Sequence, residues 1–373
     1  MRQCGRQRAL ARRAYIPHRT ERTVRNRGST IQDVAKAAGV SASSVSNYLN
    51  GRHDQMGADT RERIAQAIET LGFTPNSVAR QLKTGHAPLL GLLVPTVANP
   101  FFGELAVAVE QAANRRGFRV VLCNTLRDPL RERSFIEELV AGGVRGLLGA
   151  SAPADSSTID WLRRRDVAFA AFDMRTADIE PEHVDIVTMD NQRAIGMAVE
   201  HLIEQGHRRI AYVTAAPLTP SRQARLNGYH TAAARAGLAP TVISQTAKPD
   251  QSAYGDAALV DLGRDAALAF LALPQRPTAT VCMNDMLAMG MAAALREQGL
   301  SIPDDLSMVG VDNIAIAAIM SPGLTTVAQP FTDIGEAAVE QIVGRLREPQ
   351  QPGRETVLAP RLVIRGSTAV LRA

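Results

Sequence analysis

Features that define several large classes of protein are missing from this sequence. Its 373 residues include three cysteines, Cys4, Cys123 and Cys282, which lie far apart and form no CxxC pair. They predict neither a disulfide framework nor a zinc site, and such sparing use of cysteine is typical of a reducing cytoplasm. No run of about 18 apolar residues is present, so no transmembrane helix is predicted.

Signatures of catalysis and of secretion are missing as well. None of the seven histidines stands in an HExxH spacing, and the sequence has neither a GxSxG elbow nor a P-loop. We therefore expect no enzymatic activity, no cofactor and no metal site, although a fold by itself would not exclude catalysis. The N-terminus lacks the apolar stretch of a secretory signal peptide, which indicates a cytoplasmic protein.

Positive charge is concentrated at the N-terminus. Residues 1–29 contain nine arginines and one acidic residue, Glu21, for a net charge of +8, whereas the whole chain has +5. This composition predicts a basic extension without a fixed structure. Two interpretations are open for it: an arm that contacts the phosphates of a nucleic acid, and a dispensable extension from a misassigned start.

Three short helices are predicted next. Thr30 begins a capping-box pattern that is followed by apolar residues at helical spacing. Gly39 supplies a turn, and Ser41 caps a second helix that ends near Asn50 and Gly51. A third helix is predicted from about residue 59 to residue 71. Helix, glycine turn and helix in this order are typical of the helix-turn-helix motif.

After Gly85 the pattern changes to an alternation of strands and helices. Apolar runs such as LLGLLVP and FRVVLCN alternate with stretches of helical periodicity, and a second series of the same kind begins at Ile186. Unbroken apolar strands between helices are typical of parallel sheets that are covered on both faces. Two such series predict two α/β lobes.

Three segments carry a resemblance to a known family. Taken together, TIQDVAKAAGVSASSVSNYLNGR, TRERIAQAIETLGFTPNSVARQLKTG and GLLVPTVANPFFGEL resemble the LacI/GalR family of bacterial transcription regulators. The resemblance extends from about Thr30 to Thr368. It implies an all-α helix-turn-helix headpiece and a hinge helix, followed by a periplasmic-binding-protein-like domain. That domain would have two lobes, each a doubly wound parallel sheet, joined by three crossovers.

The resemblance also divides the chain into segments. The expected parts, in chain order, are the basic extension 1–29, the helix-turn-helix headpiece 30–75, the hinge helix and linker 76–88, and the effector-binding and dimerisation domain 89–373. Within that domain, the segments expected for the two lobes are about 89–190 and 325–350 for lobe 1, and about 191–322 and 351–373 for lobe 2.

A recognition helix places its first turns in the major groove of DNA. The resemblance implies base contacts from Ala42, Ser43 and Asn47, because alanine can meet a thymine methyl group and asparagine can bind adenine. Four further residues are expected near the DNA, with the serines nearer the phosphates: Thr30, Ser41, Ser44 and Ser46. The alternative is that these serines are only helix caps and solvated surface.

The segment after Pro75 resembles the hinge helix of the family. It is too short to be a stable helix in water by itself, and the resemblance implies that it orders when two copies pair across the minor groove. The residues expected to contact DNA there are Asn76, Ala79, Arg80, Leu82 and Lys83. Leu82 would be the wedge that enters a base step and kinks the duplex. The alternative places Leu82 in the core of the headpiece.

Polar residues follow the predicted strands of both lobes. They are Asp173, Asp190, Asn284, Asp285 and Asp312. Ligands bind at the carboxyl edge of doubly wound sheets, and carboxylates accept hydrogen bonds from sugar hydroxyls. These residues therefore predict a cleft for a hydroxyl-rich molecule. Asp190 and Asn284 stand directly before helices, so the alternative for these two is a capping role.

The resemblance adds further candidates for effector binding. Arg225 and Asp312 match the effector-binding arginine and aspartate of the family, and Phe101 and Phe102 match its aromatic site. One departure concerns Asp173, which many sugar-binding members follow directly with arginine, whereas here Met174 intervenes. A sugar acid, a modified sugar or a nucleobase therefore stays open beside an ordinary sugar.

The function implied is that of a homodimeric repressor of a catabolic operon. It would bind a palindromic operator on the bacterial nucleoid and respond to a small metabolite between the lobes, with no membrane partner. The sequence does not indicate whether that metabolite releases the protein from DNA or recruits it. A transport protein that binds sugar is the main alternative, but it would need export and would have no use for a helix-turn-helix.

Overall fold

The computed structural model describes residues 29–49, 51–52, 56–73, 88–150, 156–173, 184–216, 219–246 and 258–371. The chain divides into two compact units, Met1–Arg80 and Gln81–Ala373. The expected DNA contacts of the hinge segment, which are Asn76, Ala79, Arg80, Leu82 and Lys83, lie outside the described residues. Most of the basic extension, up to residue 28, lies outside them as well.

The first unit contains the three expected helices: α1 (Ile31–Ala38), α2 (Ala42–Leu49) and α3 (Ala58–Thr70). The capping box at Thr30 is present, and Gly39 adopts φ 63°, the left-handed conformation that ends α1. Val34, Val45 and Ile64, one from each helix, are fully buried together. The helix-turn-helix prediction is therefore confirmed for this part of the chain.

Lobe 1 is built on a six-stranded sheet in the order β11-β5-β4-β3-β1-β2. All of its neighbouring strands are parallel. Its elements are β1 (Leu89–Val94), α4 (Pro100–Arg115), β2 (Arg119–Asn124), α5 (Pro129–Ala141), β3 (Gly146–Gly149), α6 (Ser156–Arg163), β4 (Ala168–Phe172), β5 (Asp185–Met189), α12 (Phe331–Arg347) and β11 (Glu355–Leu358). Strands such as β4 are buried along their whole length because helices cover both faces.

Lobe 2 has a second six-stranded sheet, in the order β12-β10-β9-β8-β6-β7. Its strands are parallel except β12, which runs antiparallel to β10. The elements are α7 (Asn191–Glu204), β6 (Ile210–Ala216), α8 (Pro220–Arg235), β7 (Thr241–Thr246), α9 (Leu259–Leu271), β8 (Ala279–Cys282), α10 (Asp285–Glu297), β9 (Ser307–Asp312), α11 (Ala315–Ile319), β10 (Thr325–Ala328) and β12 (Arg361–Val363). Among all described helices, none is long and apolar enough to span a membrane.

The expected assignment of the C-terminal segments to the lobes was wrong in two places. Residues 325–328 were expected in lobe 1, but they form β10, which pairs with β9 in the sheet of lobe 2. Residues 355–358 were expected in lobe 2, but they form β11, which pairs with β5 in lobe 1. The chain was expected to change lobe before each of these two strands, but it does so after each of them, behind residue 328 and behind residue 358.

The strand β7 was not expected from the sequence. It lies at the edge of the lobe 2 sheet, and only Ile243 among its residues is buried. An edge strand with polar residues such as Ser244 and Gln245 lacks the unbroken apolar run by which the other strands were recognised.

The chain passes between the lobes at three places, as expected. The connections are Asp190, between β5 and α7; Gln329 and Pro330, between β10 and α12; and Ala359 and Pro360, between β11 and β12. Each contains one or two residues, so the carboxyl ends of the two sheets are held facing each other. This arrangement creates the cleft in which the candidate site lies.

Candidate functional site

The candidate DNA interface of the headpiece is the first turn of α2. Ala42 and Ser43 are exposed there, and Asn47 lies one turn further along and is half-buried. Ser41 accepts a hydrogen bond from the backbone N–H of Ser44 at 3.1 Å, and so caps the helix as expected. The exposed first turn fits a role in reading bases, which stays a prediction for these residues.

Other hydroxyl groups of the headpiece have partners inside it. The Thr30 hydroxyl lies 2.7 Å from Asp33 Oδ2 and also accepts from the Asp33 backbone N–H. The hydrogen bonds that the hydroxyl and the backbone N–H of Thr30 donate to the Asp33 carboxylate lower the pKa of Asp33 below its usual value. Thr30 therefore has a capping role that accounts for its presence without DNA.

The second candidate site is a cavity of about 300 Å³ between the two lobes. Residues from the carboxyl ends of strands and the first turns of the following helices line it. They are Asn99, Phe101, Phe102, Arg127, Pro129, Glu132, Ala150, Phe172, Asp173, Thr219, Pro220, Ser221, Arg222, Arg225, Met283, Asn284 and Asp312. This is where doubly wound sheets place their ligands.

Arg225 is the central cation of this cavity. It lies in the second turn of α8, a helix that Thr219 caps at its N-terminus. Only 7% of its surface is exposed. Its Nε donates to Asn191 Oδ1 at 2.7 Å, and its Nη1 donates to the carbonyl of Met283. These contacts fix the direction of the guanidinium, so that Nη2 reaches Asp312.

Asp312 ends β9 and forms a buried ion pair with Arg225. The distance from Arg225 Nη2 to Asp312 Oδ1 is 3.5 Å, and Gln329 Nε2 donates to the same oxygen at 3.0 Å. The backbone at Asp312 has φ 116°. This conformation is unfavourable for any residue other than glycine. Such strain at the end of a strand is common where a side chain is aimed into a site.

Asp173 and Asn191 continue the network into lobe 1. Asp173 directly follows β4, has φ 55° and accepts hydrogen bonds from the Thr188 hydroxyl and from Asn191 Nδ2, the latter at 3.2 Å. Because Asn191 also accepts from Arg225, one buried amide joins Asp173 of lobe 1 to the cation of lobe 2. Sequence analysis missed Asn191, since its neighbour Asp190 looked like the polar end of the strand.

Aromatic side chains form the apolar part of the cavity. Phe101 and Phe102 lie in the first turn of α4, with ring centroids 4.9 Å apart and the rings at 82°. Phe101 is half-buried and also packs against Phe331, whereas Phe102 is buried in the core of lobe 1. Phe172 lines the same wall. Phe101 is thus the ring best placed to meet a ligand.

Two of the expected effector contacts lie away from the cavity lining. Asp190 caps α7 by accepting from the Arg193 backbone N–H at 2.9 Å. Asp285 is fully buried, where it accepts from the Ile314 backbone N–H and the Thr326 hydroxyl. Burial, and then the nearby carboxylate of Asp312, raise the pKa of Asp285 well above its usual value. Both residues therefore have structural partners within the protein and do not line the cavity.

Asn284 combines the two roles between which the sequence left a choice. Its side chain caps α10 by accepting from the Leu287 backbone N–H at 3.0 Å, and the residue also lines the cavity. Met174 and Arg175, which carry the departure from the common family pattern, lie outside the described residues.

Sequence analysis also missed charged and polar residues on both walls. Arg127 and Glu132 line the wall of lobe 1, and Ser221 and Arg222 line the wall of lobe 2. Arg127 is the third residue after the end of β2 and adopts φ 56°, so a search limited to the residue directly after a strand, which found Asp173, did not reach it. The cavity thus offers donors, acceptors and an apolar face. No cluster of side chains suited to a metal occurs among the described residues.

Two family models match this chain. The model of the bacterial regulatory proteins of the lacI family matches residues 30–76, which include all three helices of the headpiece. The model of a periplasmic binding protein-like domain matches residues 199–368, which include most of lobe 2 and the helix α12 of lobe 1.

The sequence is similar to repressors over nearly its whole length. The HTH-type transcriptional repressor PurR of Photobacterium profundum is 32% identical over 341 residues, 91% of this chain and 98% of that protein. The ribose operon repressor of Escherichia coli is 34% identical over 343 residues, 91% of this chain and 99% of that protein.

Solved structures show the same architecture. The lac repressor dimer bound to operator and the anti-inducer ONPF has a TM-score of 0.75 at 27% identity, covering 91% of this chain and 99% of that one. A LacI family transcriptional regulator from Enterococcus faecium with bound ribose has a TM-score of 0.66 at 27% identity, covering 76% and 100%. The chain belongs to the LacI family of bacterial regulatory proteins and is a DNA-binding transcription regulator, not an enzyme.

Proposed function

We propose that this regulator is a repressor whose affinity for its operator is controlled by a small, hydroxyl-rich metabolite in the cleft. The observation that carries the proposal is the buried network of Asp173, Asn191, Arg225 and Asp312 along the cavity. The protein itself holds these groups in position, so a ligand that meets them need not order them first. Charged groups fixed in this way select a ligand by its hydrogen-bonding geometry.

The chemistry of the walls favours a sugar or a sugar acid. Asp173 and Asp312 can accept hydrogen bonds from hydroxyl groups, and Arg225 can donate to an oxygen of the ligand. The ring of Phe101 can cover an apolar face. Ribose is bound by a relative from Enterococcus faecium, and cellobiose by the regulator CelR. These two sugars are therefore the first to test.

Control of DNA binding would follow from the relative position of the lobes. A ligand that contacts both walls of the cavity stabilises the relative position of the two lobes in which it can reach both walls. The population of that position therefore increases when the ligand binds. The three short connections restrict the lobes to a hinge-like motion. Asn191 would transmit that motion, because it contacts Asp173 of lobe 1 and Arg225 of lobe 2.

We further propose that the functional unit is a homodimer in the bacterial cytoplasm, bound to the nucleoid through its operator. One helix-turn-helix reads only a few base pairs, and a two-fold dimer demands a palindrome with half-sites about one turn, roughly 10 base pairs, apart. The lac repressor binds operator as a dimer. Exposed apolar side chains, Val107 on α4 and Ile316 and Ile319 on α11, offer a surface for a second copy.

Two substitutions of the same kind test the cleft. Asp312→Asn removes the charge that faces the cavity, whereas Asp190→Asn keeps a capping group at a position outside the cavity lining. The operator would first be selected from random DNA. Its affinity for each variant would then be measured by fluorescence anisotropy, with and without ribose, cellobiose, sugar acids and nucleobases.

We expect one compound class to change the operator affinity of the wild type and of Asp190→Asn, but not that of Asp312→Asn. A decrease in affinity identifies an inducer, and an increase identifies a co-repressor. An unaltered response in Asp312→Asn would contradict the assignment of the cleft. Loss of the response in both variants would contradict the distinction between these two aspartates.

A further inference from the structure

The edge of lobe 1 that faces away from the cleft is rich in arginine. It consists of the turns that lead from helices into the starts of parallel strands, at 115–119, 141–146, 163–168 and 347–355. We call these turns the basic edge. They contain nine arginines, which are Arg115, Arg116, Arg119, Arg145, Arg163, Arg164, Arg165, Arg347 and Arg354. The acidic residues in the same turns are three, Asp166, Glu348 and Glu355.

This concentration of charge is not a property of the whole domain. From residue 84 onwards the chain has 27 basic and 31 acidic residues, so it is slightly negative on average. The opposite edge of lobe 1, at the described carboxyl ends of its strands, contains Arg127 together with Asp128, Asp173 and Asp190. The two edges of a single lobe therefore differ in the sign of their charge.

Contacts within lobe 1 neutralise only part of the basic edge. Glu336 on α12 pairs with both Arg115 and Arg116, and Glu340 lies 3.8 Å from Arg354. The carboxyl ends of helices also attract cations, which explains some arginines here. Within the described residues, however, Arg164 and Arg347 are exposed and form no ion pair.

Arg119 is a third exposed arginine of the basic edge that forms no ion pair within the described residues. Its side chain donates to Asn114 Oδ1, an uncharged partner, at 2.8 Å. The guanidinium of Arg165 stacks over the ring of Trp161, with its central carbon 4.0 Å from the ring centroid. Several positive charges of the basic edge thus stay available to an outside partner.

The shape of the basic edge and the course of the chain limit what that partner can be. A groove of about 900 Å³, lined by Arg145, Arg163 and Arg165, runs along the edge beside Leu89. The chain enters lobe 1 at the same place, since the carbonyl of Pro88 accepts from the Arg119 backbone N–H at 2.9 Å. In the sequence, residues 74–87 join Pro88 to Phe73, which is the last described residue of the DNA-binding headpiece.

We propose that the basic edge of lobe 1 binds the phosphate backbone of the duplex that flanks the operator half-site. Duplex DNA carries one negative charge per about 1.7 Å of its length, and exposed arginines bind it without regard to sequence. The headpiece keeps DNA tethered to this edge through a connection of 14 residues, 74–87. The proposal rests on the DNA-binding function of the chain and not on the identity of the effector.

The test compares two variants with the same change in charge. In the first, Arg119, Arg164 and Arg347 of the basic edge are replaced by glutamine. In the matched control, the exposed arginines Arg208, Arg235 and Arg276 of lobe 2 are replaced by glutamine. Each protein is titrated with a short duplex that ends at the operator and with one extended by about two turns on each side, over a series of salt concentrations.

We expect the basic-edge variant to bind the short duplex as the wild type does. On the long duplex, each lost phosphate contact should flatten the slope of log affinity against log salt by about 0.9. For three contacts, the loss of affinity at low salt should exceed tenfold. The control variant should match the wild type on both duplexes. Thermal unfolding would establish that both variants are folded.

Other outcomes would overturn the proposal. Equal affinities and slopes for the two variants on the long duplex would show that the basic edge does not meet DNA. Equal losses on the short and the long duplex would locate its effect within the operator itself. Capture of an acidic protein by the wild type, with unchanged DNA binding in the variant, would assign the edge to a different partner. If the wild type bound no operator at all, the regulator function would fail instead.

Discussion

The ion pair between Arg225 and Asp312 allows a quantitative test of the cleft. Replacing Arg225 with methionine removes its contacts with Asn191, Met283 and Asp312. The carboxylate of Asp312, which is 5% exposed, would keep the hydrogen bond from Gln329 but lose its cation. Breaking a buried ion pair from one side costs about 3–5 kcal/mol. Domains of this kind are stable by about 5–15 kcal/mol, so the loss should be large but not necessarily complete.

Removing both charges should cost less than the two single losses together. In the double variant Arg225→Met/Asp312→Asn, no uncompensated charge stays buried. We therefore expect a coupling free energy at the upper end of about 0.5–3 kcal/mol. Urea unfolding followed by far-ultraviolet circular dichroism would measure it for the wild type, the two single variants and the double variant.

The same four proteins would separate stability from effector response. Loss of one partner of a charge-assisted contact reduces affinity by about 2–5 kcal/mol, which is a factor of about 30 to several thousand. The double variant should thus stay folded, bind the operator and ignore the effector. Additive losses of stability in the two single variants would refute a direct interaction at 3.5 Å. A normal effector response in the double variant would refute the role of the cleft.

Four further predictions concern other parts of the chain. Leu82→Ala should weaken operator binding by about 1–3 kcal/mol, because it removes the side chain that enters the kinked base step. Binding to random DNA at the same salt concentration should not change. An unbent operator in the wild-type complex, measured by gel mobility, would contradict this role of Leu82. Removal of residues 1–29 should leave the consensus selected from random DNA unchanged, and a different consensus would give the arm a reading role. Ile319→Asp should produce monomers in sedimentation, because it places a charge in the proposed dimer surface, and an intact dimer would move that surface elsewhere. Burial lowers the pKa of His207 below 6.5, so the contribution of His207 to the free energy of unfolding should be constant above pH 6.5 and decrease as the pH falls below it. His207→Gln should reduce that slope by up to about 1.4 kcal/mol per pH unit in urea unfolding between pH 5 and 8, and an unchanged slope would exclude His207 as its cause.

The headpiece and most strands could be predicted because their signals are local. The cap at Thr30 and the turn at Gly39 each involve residues only a few positions apart, and β4 is an unbroken apolar run. The assignment of β10 and β11 to their lobes depends on contacts that are not local. A run of four residues such as TTVA indicates a strand, but its partner β9 is chosen by contacts far along the chain.

The cleft shows the same limit. Arg225 and Asp312 were found by resemblance, and Asp173 by its position at the end of a strand. Asn191 was missed because its importance depends on Arg225, 34 residues away, and on Asp173, 18 residues away. Neither distance leaves a periodic trace in the sequence. Asp190 was chosen in its place because a carboxylate at a strand end is a stronger local signal than an amide.

The three connections between the lobes also determine the order in which this protein can be completed on the ribosome. Lobe 1 lacks its helix α12 and its strand β11 until residues 331–358 have been made, and lobe 2 lacks β10 until residue 328 and β12 until residue 363. The headpiece needs nothing beyond residue 73 for its core. Nascent chains would therefore carry a folded DNA-binding unit while both sensor lobes still expose apolar surface, a state in which chains aggregate easily. Synthesis of the last fifty residues thus completes the folds of both lobes almost at the same time. A chain truncated before these residues would have a headpiece but no complete sensor domain.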